Sequence, residues 1–138
     1  MSRQEAPIST IMTTNPVTLR PDQALLEVKH IFEKHDFHHH IPVCENGKLI
    51  GMVSLIDFVR QLKGSSLDDN DQIYSEMRVA DIMSINPRSI APSTSIHNVA
   101  SILAEGNIHA LTITENDQLV GIVSTADIIR YYMEERSF

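Results

Sequence analysis

Apolar positions along the chain follow two periodicities in turn. Leu25, Val28, Ile31 and Phe32 fall at the three- and four-residue spacing of one helix face, and Ile96, Val99, Ile102 and Leu103 repeat that face later. Around these faces lie apolar runs too short for helices: Val17–Leu19, His39–Cys44 and Leu49–Val53, answered by Arg88–Ile90, His109–Thr114 and Leu119–Val123. Such runs predict strands. The return strands 49–53 and 119–123 are apolar on both faces, which predicts central, covered positions. Each passes directly into a second helix, which in the first half covers Leu55–Leu62.

Polar and turn-forming residues punctuate these elements. Asn15-Pro16 ends a short helical lead-in over Ser9–Met12, because the residue before proline is pushed out of the helical region. Pro21-Asp22 opens the first long helix with Asp22 as its cap; Ser93-Thr94-Ser95 precedes the second, which stops at Gly106-Asn107. Glu45-Asn46-Gly47-Lys48 predicts a two-residue hairpin turn, because Asn-Gly supplies the positive φ angles of type I′. Glu115-Asn116-Asp117-Gln118 holds the same place with weaker turn chemistry.

The correspondence is a true internal repeat. Gly51-Met52-Val53-Ser54-Leu55-Ile56-Asp57-Phe58-Val59-Arg60 returns as Gly121-Ile122-Val123-Ser124-Thr125-Ala126-Asp127-Ile128-Ile129-Arg130, an offset of 70 from Gly51 to Gly121. Ile11-Met12, Asn15-Pro16 and Pro21 recur as Ile82-Met83, Asn86-Pro87 and Pro92 at an offset of 71, so one residue is lost near Asn107-Ile108. Self-similarity of this extent predicts two copies of one strand–helix–strand–strand–helix unit. One copy alone does not cover both faces of a three-stranded sheet, so the fold class is α/β (α+β), with the halves packed face to face about a pseudo-twofold axis. The boundaries read as 8–62, a linker at 63–78, and 79–135. The linker carries Gly64-Ser65-Ser66 and Asp68-Asp69-Asn70-Asp71, and a helical turn is expected near Ile73–Met77. The acidic cluster lacks the glycine and closing glutamate of a calcium loop and reads as solvated.

Composition narrows the function. The 138 residues carry a net charge of −7 and no cluster of Lys and Arg, which argues against nucleic acid and against a polybasic membrane patch. A single cysteine, Cys44, excludes an internal disulfide framework. No apolar run reaches the roughly 18–20 residues of a membrane span, and residues 1–7 lack the layout of a secretion signal. The expected location is cytoplasmic.

Two units that open near Ile-Met and Asn-Pro and close on Gly-hydrophobic-Val-Ser-x-x-Asp resemble a tandem pair of cystathionine-β-synthase (CBS) domains, a Bateman module. The resemblance covers about 8–62 and 79–135 and leaves no catalytic domain over. It implies a free-standing regulatory module that binds AMP, ADP, ATP, S-adenosylmethionine or NAD in the cleft between the repeats and signals to a separate partner protein. It also implies a homodimer built through the second helices, with Phe58-Val59 and Ile128-Ile129-Tyr131-Tyr132 as candidates. No obligatory cofactor is implied; magnesium enters only with ATP.

The site residues follow from the same resemblance. Asp57 and Asp127 correspond to the aspartates that take ribose hydroxyls, which suits a carboxylate with two acceptor oxygens. Ser54 and Ser124, after Val53 and Val123, face phosphate at a helix N-terminus, where the dipole contributes roughly 0.3–1 kcal/mol. Thr18 and Ser89, with Val17 and Arg88, match positions whose backbone edge reads adenine. His39-His40-Ile41-Pro42 resembles the strand whose basic residues reach phosphate. His40 stands where the family often has arginine, and the second copy has His109-Ala110. Neutral imidazole offsets little phosphate charge near pH 7, which disfavours a triphosphate and makes the two sites unequal.

Other readings of the same residues stay open. Ser-x-x-Asp is also a helix capping box in its own right. In a strand His38 and His40 share one face and His39 the other, so a metal site would need His30 or His35 as well; a basic strand edge is the simpler reading, and no metal is expected. Cys44 reads as a small buried strand residue and the methionines as core filler. No nucleophile–base pair is legible, and no enzyme is expected. The competing function is a CBS pair that has kept its fold as a dimerisation or docking element without a ligand.

Overall fold

The computed structural model describes residues 6–34, 39–61 and 71–135. After a turn of 3-10 helix at Ile8–Thr10, the elements in chain order are β1 (Thr13–Thr14), α1 (Leu25–Lys34), β2 (His40–Glu45), β3 (Lys48–Ser54), α2 (Leu55–Gln61), α3 (Asp71–Glu76) and α4 (Val79–Ile82). They continue as β4 (Ser84–Ile85), β5 (Ser89–Ile90), α5 (Ile96–Ala104), β6 (Ala110–Glu115), β7 (Gln118–Ser124) and α6 (Thr125–Glu135). The class is mixed α/β, with the strand–helix–strand–strand–helix order present twice. The chain divides into two compact units: Val17–Pro87 forms one, and the segment ending at Pro16 joins the segment beginning at Arg88 in the other. Each repeat's lead-in therefore belongs to the unit built on the other repeat's hairpin.

In the Val17–Pro87 unit, β2 and β3 form an antiparallel hairpin in which His40 faces Ser54, Ile41 faces Val53 and Pro42 faces Met52. Asn46 and Gly47 turn it with φ of 53° and 82°, as the type I′ expectation requires. β4 runs along the other edge of β3, which makes β3 central. Ile41, Val43, Val53, Leu25 and Val28 are fully buried. The connector contributes more to this core than its polar composition predicts: Tyr74 on α3 is 1% exposed and stacks on Phe58, ring centroids 6.1 Å apart. The first part of the connector, with Asp68, Asp69 and Asn70, lies outside the described residues.

Two local expectations are corrected in this unit. Asp22 does not cap α1. Pro21-Asp22 sits in a turn closed from Gln23 N–H to the Arg20 carbonyl (3.3 Å), and Asp22 pairs with Arg20 at 3.4 Å. The strand expected at Val17–Leu19 shrinks to a single parallel bridge, Leu19 to Val43. Leu19 N–H donates to the Pro42 carbonyl and Cys44 N–H to the Leu19 carbonyl. Proline has no N–H with which to extend that ladder toward Val17.

The second unit repeats the plan on β6 and β7, with Ala110 facing Ser124 and Leu111 facing Val123. Here Asn116 and Asp117 make the same turn with φ of 53° and 66° without a glycine. β5 forms a two-residue parallel ladder with β6, Ser89 to Thr112 and Ile90 to Ile113, and β1 pairs with β7. Ser95 caps α5 by accepting from Asn98 N–H at 3.1 Å, and Gly106 follows the helix at φ 83°. The core is Ile8, Ile96, Val99, Leu103, Leu111, Ile113, Val123 and Ile128. Phe58 and Ile128, expected on an exposed helix face, are thus core residues. Among the described residues the exposed large apolar side chains are Ile56 and Val59 on α2, Ile85 on β4, and Ile129 and Met133 on α6.

Candidate functional site

Within each unit the hairpin register brings the sequence-predicted residues together at one strand-to-helix junction. In the Val17–Pro87 unit, His40 and Ser54 are direct cross-strand partners, and the His39 carbonyl accepts from Leu55 N–H at 2.8 Å. The start of β2, the end of β3 and the start of α2 therefore meet. Ser54 Oγ accepts from Asp57 N–H at 3.0 Å, satisfying one of the free donors of the first helical turn. Thr18 is joined to this group through Leu19, which bonds on both sides of Val43. The side chains of Ile41 and Val53 are fully buried, so these two residues can offer a ligand only their backbone. Pro42 is buried as well.

The second unit assembles Arg88, Ser89, His109, Ala110, Val123, Ser124 and Asp127 in the same way. Ala110 faces Ser124, and the His109 carbonyl accepts from Thr125 N–H at 3.0 Å and from the Thr125 hydroxyl at 3.3 Å. Val123 is fully buried. Thr112, a fully buried polar residue the sequence reading passed over, donates its hydroxyl to the Arg88 carbonyl at 3.1 Å. Its oxygen lies 2.7 Å from Ser89 Oγ, so with the Thr112 proton committed Ser89 is the donor there. Pro42 holds the corresponding place in the first repeat and has no hydroxyl. That Thr-for-Pro difference was legible in the repeat alignment.

The two junctions differ most at their aspartates. Ser124 Oγ accepts from Asp127 N–H at 3.2 Å, and Asp127 Oδ2 accepts in return from Ser124 N–H at 2.8 Å, a complete reciprocal capping box. The other oxygen, Oδ1, takes the Arg130 guanidinium. At Asp57 only the serine half of the box is present: among the described residues its carboxylate accepts no hydrogen bond and pairs with no cation. Chemically, each junction offers a carboxylate, a serine hydroxyl and a helix N-terminus, a set suited to hydroxyl donors beside an anionic group.

Burial pushes the Cys44 thiol above its ordinary range, which leaves little thiolate. Among the described residues no three His, Cys, Asp or Glu side chains are placed to hold a metal; His35 and His38 lie outside those residues. No described helix is long and apolar enough to cross a membrane.

The family model described as CBS domain matches the chain twice, over residues 8–64 and 79–134. The chain belongs to the CBS domain family. Among its relatives, protein MJ0188 of Methanocaldococcus jannaschii is 33% identical over 129 residues, covering 93% of this chain and 44% of its own length. The chain thus spans less than half of that relative. The CBS domain-containing protein YhcV of Bacillus subtilis is 28% identical over 130 residues, covering 94% of this chain and 88% of its own. Two solved CBS pairs share the fold. CBSX2 in complex with AMP superposes with a TM-score of 0.81 at 18% identity, covering 95% of this chain and 98% of that one. The CBS pair of MJ0100, in complex with 5′-methylthioadenosine and S-adenosylmethionine, gives 0.77 at 23% identity, covering 94% and 98%.

Proposed function

We propose that this CBS pair is a regulatory module that binds an adenosine-containing ligand at its strand-to-helix junctions and passes the occupancy to a partner protein. One observation carries the reading: the hairpin register sets His40 against Ser54 at the start of α2, with the Asp57 carboxylate unclaimed among the described residues. A carboxylate with free lone pairs suits the two neighbouring hydroxyls of a ribose. The helix N-terminus and histidine edge suit a phosphate or another polar tail. The ligands held by CBSX2 and MJ0100 differ in that tail and share adenosine, which supports adenosine as the recognised part. Val17, Thr18, Arg88 and Ser89 supply the backbone edge for adenine, and Asp57 and Asp127 take the ribose.

A thermal-shift screen with AMP, ADP, ATP, S-adenosylmethionine and NAD tests this. A ligand present at a hundred times its dissociation constant adds ~2.7 kcal/mol to stability, a rise of several degrees in a chain of this size. No shift with any of the five would favour the second reading, a ligand-free docking element. The observation behind that alternative is the closed Asp127 junction beside Ala110. The same proposal includes a homodimer formed through α2 and α6, supported by the exposed pairs Ile56/Val59 and Ile129/Met133.

A further inference from the structure

The two junctions carry the same Ser-x-x-Asp-x-x-Arg spacing, Ser54–Asp57–Arg60 and Ser124–Asp127–Arg130, yet their carboxylates are in different states. We infer that Arg130 is an internal competitor for the adenosine ligand. It holds the Asp127 carboxylate closed, so the junction at Asp57 fills first and the junction at Asp127 fills only when the guanidinium gives way. The inference rests on the adenosine-binding reading above.

Asp127 is committed at both oxygens, Oδ2 to Ser124 N–H and Oδ1 to Arg130. Its side chain is only 22% exposed, so few directions of approach remain. A ribose diol presents two donors and needs acceptor lone pairs on that carboxylate. Arg130 occupies part of that capacity and neutralises the charge that makes the oxygens strong acceptors. Around it the second junction is closed in two further ways. The Thr125 hydroxyl donates to the His109 carbonyl, and the Thr112 hydroxyl to the Arg88 carbonyl. In the first repeat, Leu55 and Pro42 stand at those places and have no hydroxyl to donate. Among the described residues no ion pair joins Arg60 to Asp57. The Arg130 side chain is itself 64% exposed, so water screens the pair and the barrier is modest. Releasing it should tighten binding about two- to fivefold.

The test is a calorimetric titration with AMP, and separately with S-adenosylmethionine, on variants that keep one junction each. Asp127→Asn leaves the Asp57 junction and Asp57→Asn leaves the Asp127 junction; asparagine at 127 can still accept from Ser124 N–H, and at 57 the cap is Ser54 Oγ and does not use the carboxylate, so the helix starts stay capped. We expect Asp127→Asn to retain the tighter site and Asp57→Asn the weaker. Adding Arg130→Gln to Asp57→Asn should then tighten binding about two- to fivefold. Adding Arg60→Gln to Asp127→Asn should leave it unchanged. A merely structural role for Arg130 predicts weaker binding on its removal. Unchanged or weaker binding in Asp57→Asn/Arg130→Gln overturns the inference and leaves adenosine binding standing. Absence of binding to the unaltered protein overturns adenosine recognition itself.

Discussion

Gly51 and Gly121 show what a single hydrogen in place of a side chain permits. A Cβ on Gly121 would lie 2.5 Å from Met12 Sδ and 3.0 Å from the Thr13 carbonyl; on Gly51 it would meet Met83 Sδ at 2.6 Å and the Ser84 carbonyl at 3.0 Å. Each glycine lets the other repeat's lead-in lie flat on the return strand. The thioether can swing aside, but the carbonyl is part of the β1–β7 pairing and yields less. Gly121→Ala should therefore destabilise the fold by about 1–3 kcal/mol, measured by urea denaturation, with Gly121→Ala/Met12→Ala recovering part of the loss. Unchanged stability in the single variant would show that the lead-in is not held there. The repeated glycines, serines and aspartates were legible because the chain states them twice. Their neighbours were not: nothing in Ile-Met near residue 12 says that it packs on Gly121 rather than on its own repeat. The contrast between Asp57 and Asp127 was equally hidden, because both sit in the same Ser-x-x-Asp-x-x-Arg frame. Asn15 and Asn86 show a smaller gap. Both precede proline, which disfavours the right-handed helical region, but they take φ of 49° and 51°, the left-handed region that asparagine tolerates.

Among the elements, long helices and hairpins were read well because apolar periodicity and turn chemistry agree there. Short elements were decided by one or two residues. The first strand survives as a ladder in the second repeat, where Thr112 bonds both Ser89 and the Arg88 carbonyl. It contracts to one bridge in the first, where Pro42 has no N–H to give. The start of α1 moved past Asp22 because Pro21-Asp22 is spent in a turn, and Leu25 N–H instead donates to the Met77 carbonyl at 3.0 Å. That bond, with buried Tyr74 and the Lys29 ammonium 5.2 Å from its ring centroid, ties α3 to α1. The polar composition of 63–72 hid it, since the aromatic anchor comes only after the acidic cluster. Phe58 is placed on an exposed dimer face on the strength of the family resemblance, which does not say which side of α2 is buried. The aromatic contacts with Phe32 and Tyr74, at 5.5 Å and 6.1 Å, decide which side is the core.

At the scale of the whole molecule the predictions concern assembly and ligand. The exposed apolar pairs on α2 and α6 favour a homodimer, so light scattering at micromolar concentrations should give twice the 15.5 kDa chain mass. A monomer mass across that range would contradict the proposal. The central claim, that the doubled Ser-x-x-Asp junction is a ligand site and not only a helix cap, is tested most directly by titrating AMP and S-adenosylmethionine into Asp57→Ala/Asp127→Ala by calorimetry. Losing a helix cap typically costs ~1 kcal/mol, so the variant should remain folded. The account predicts that the folded variant gives no binding heat with a ligand that the unaltered protein takes up. Binding at full strength in the folded variant would contradict it.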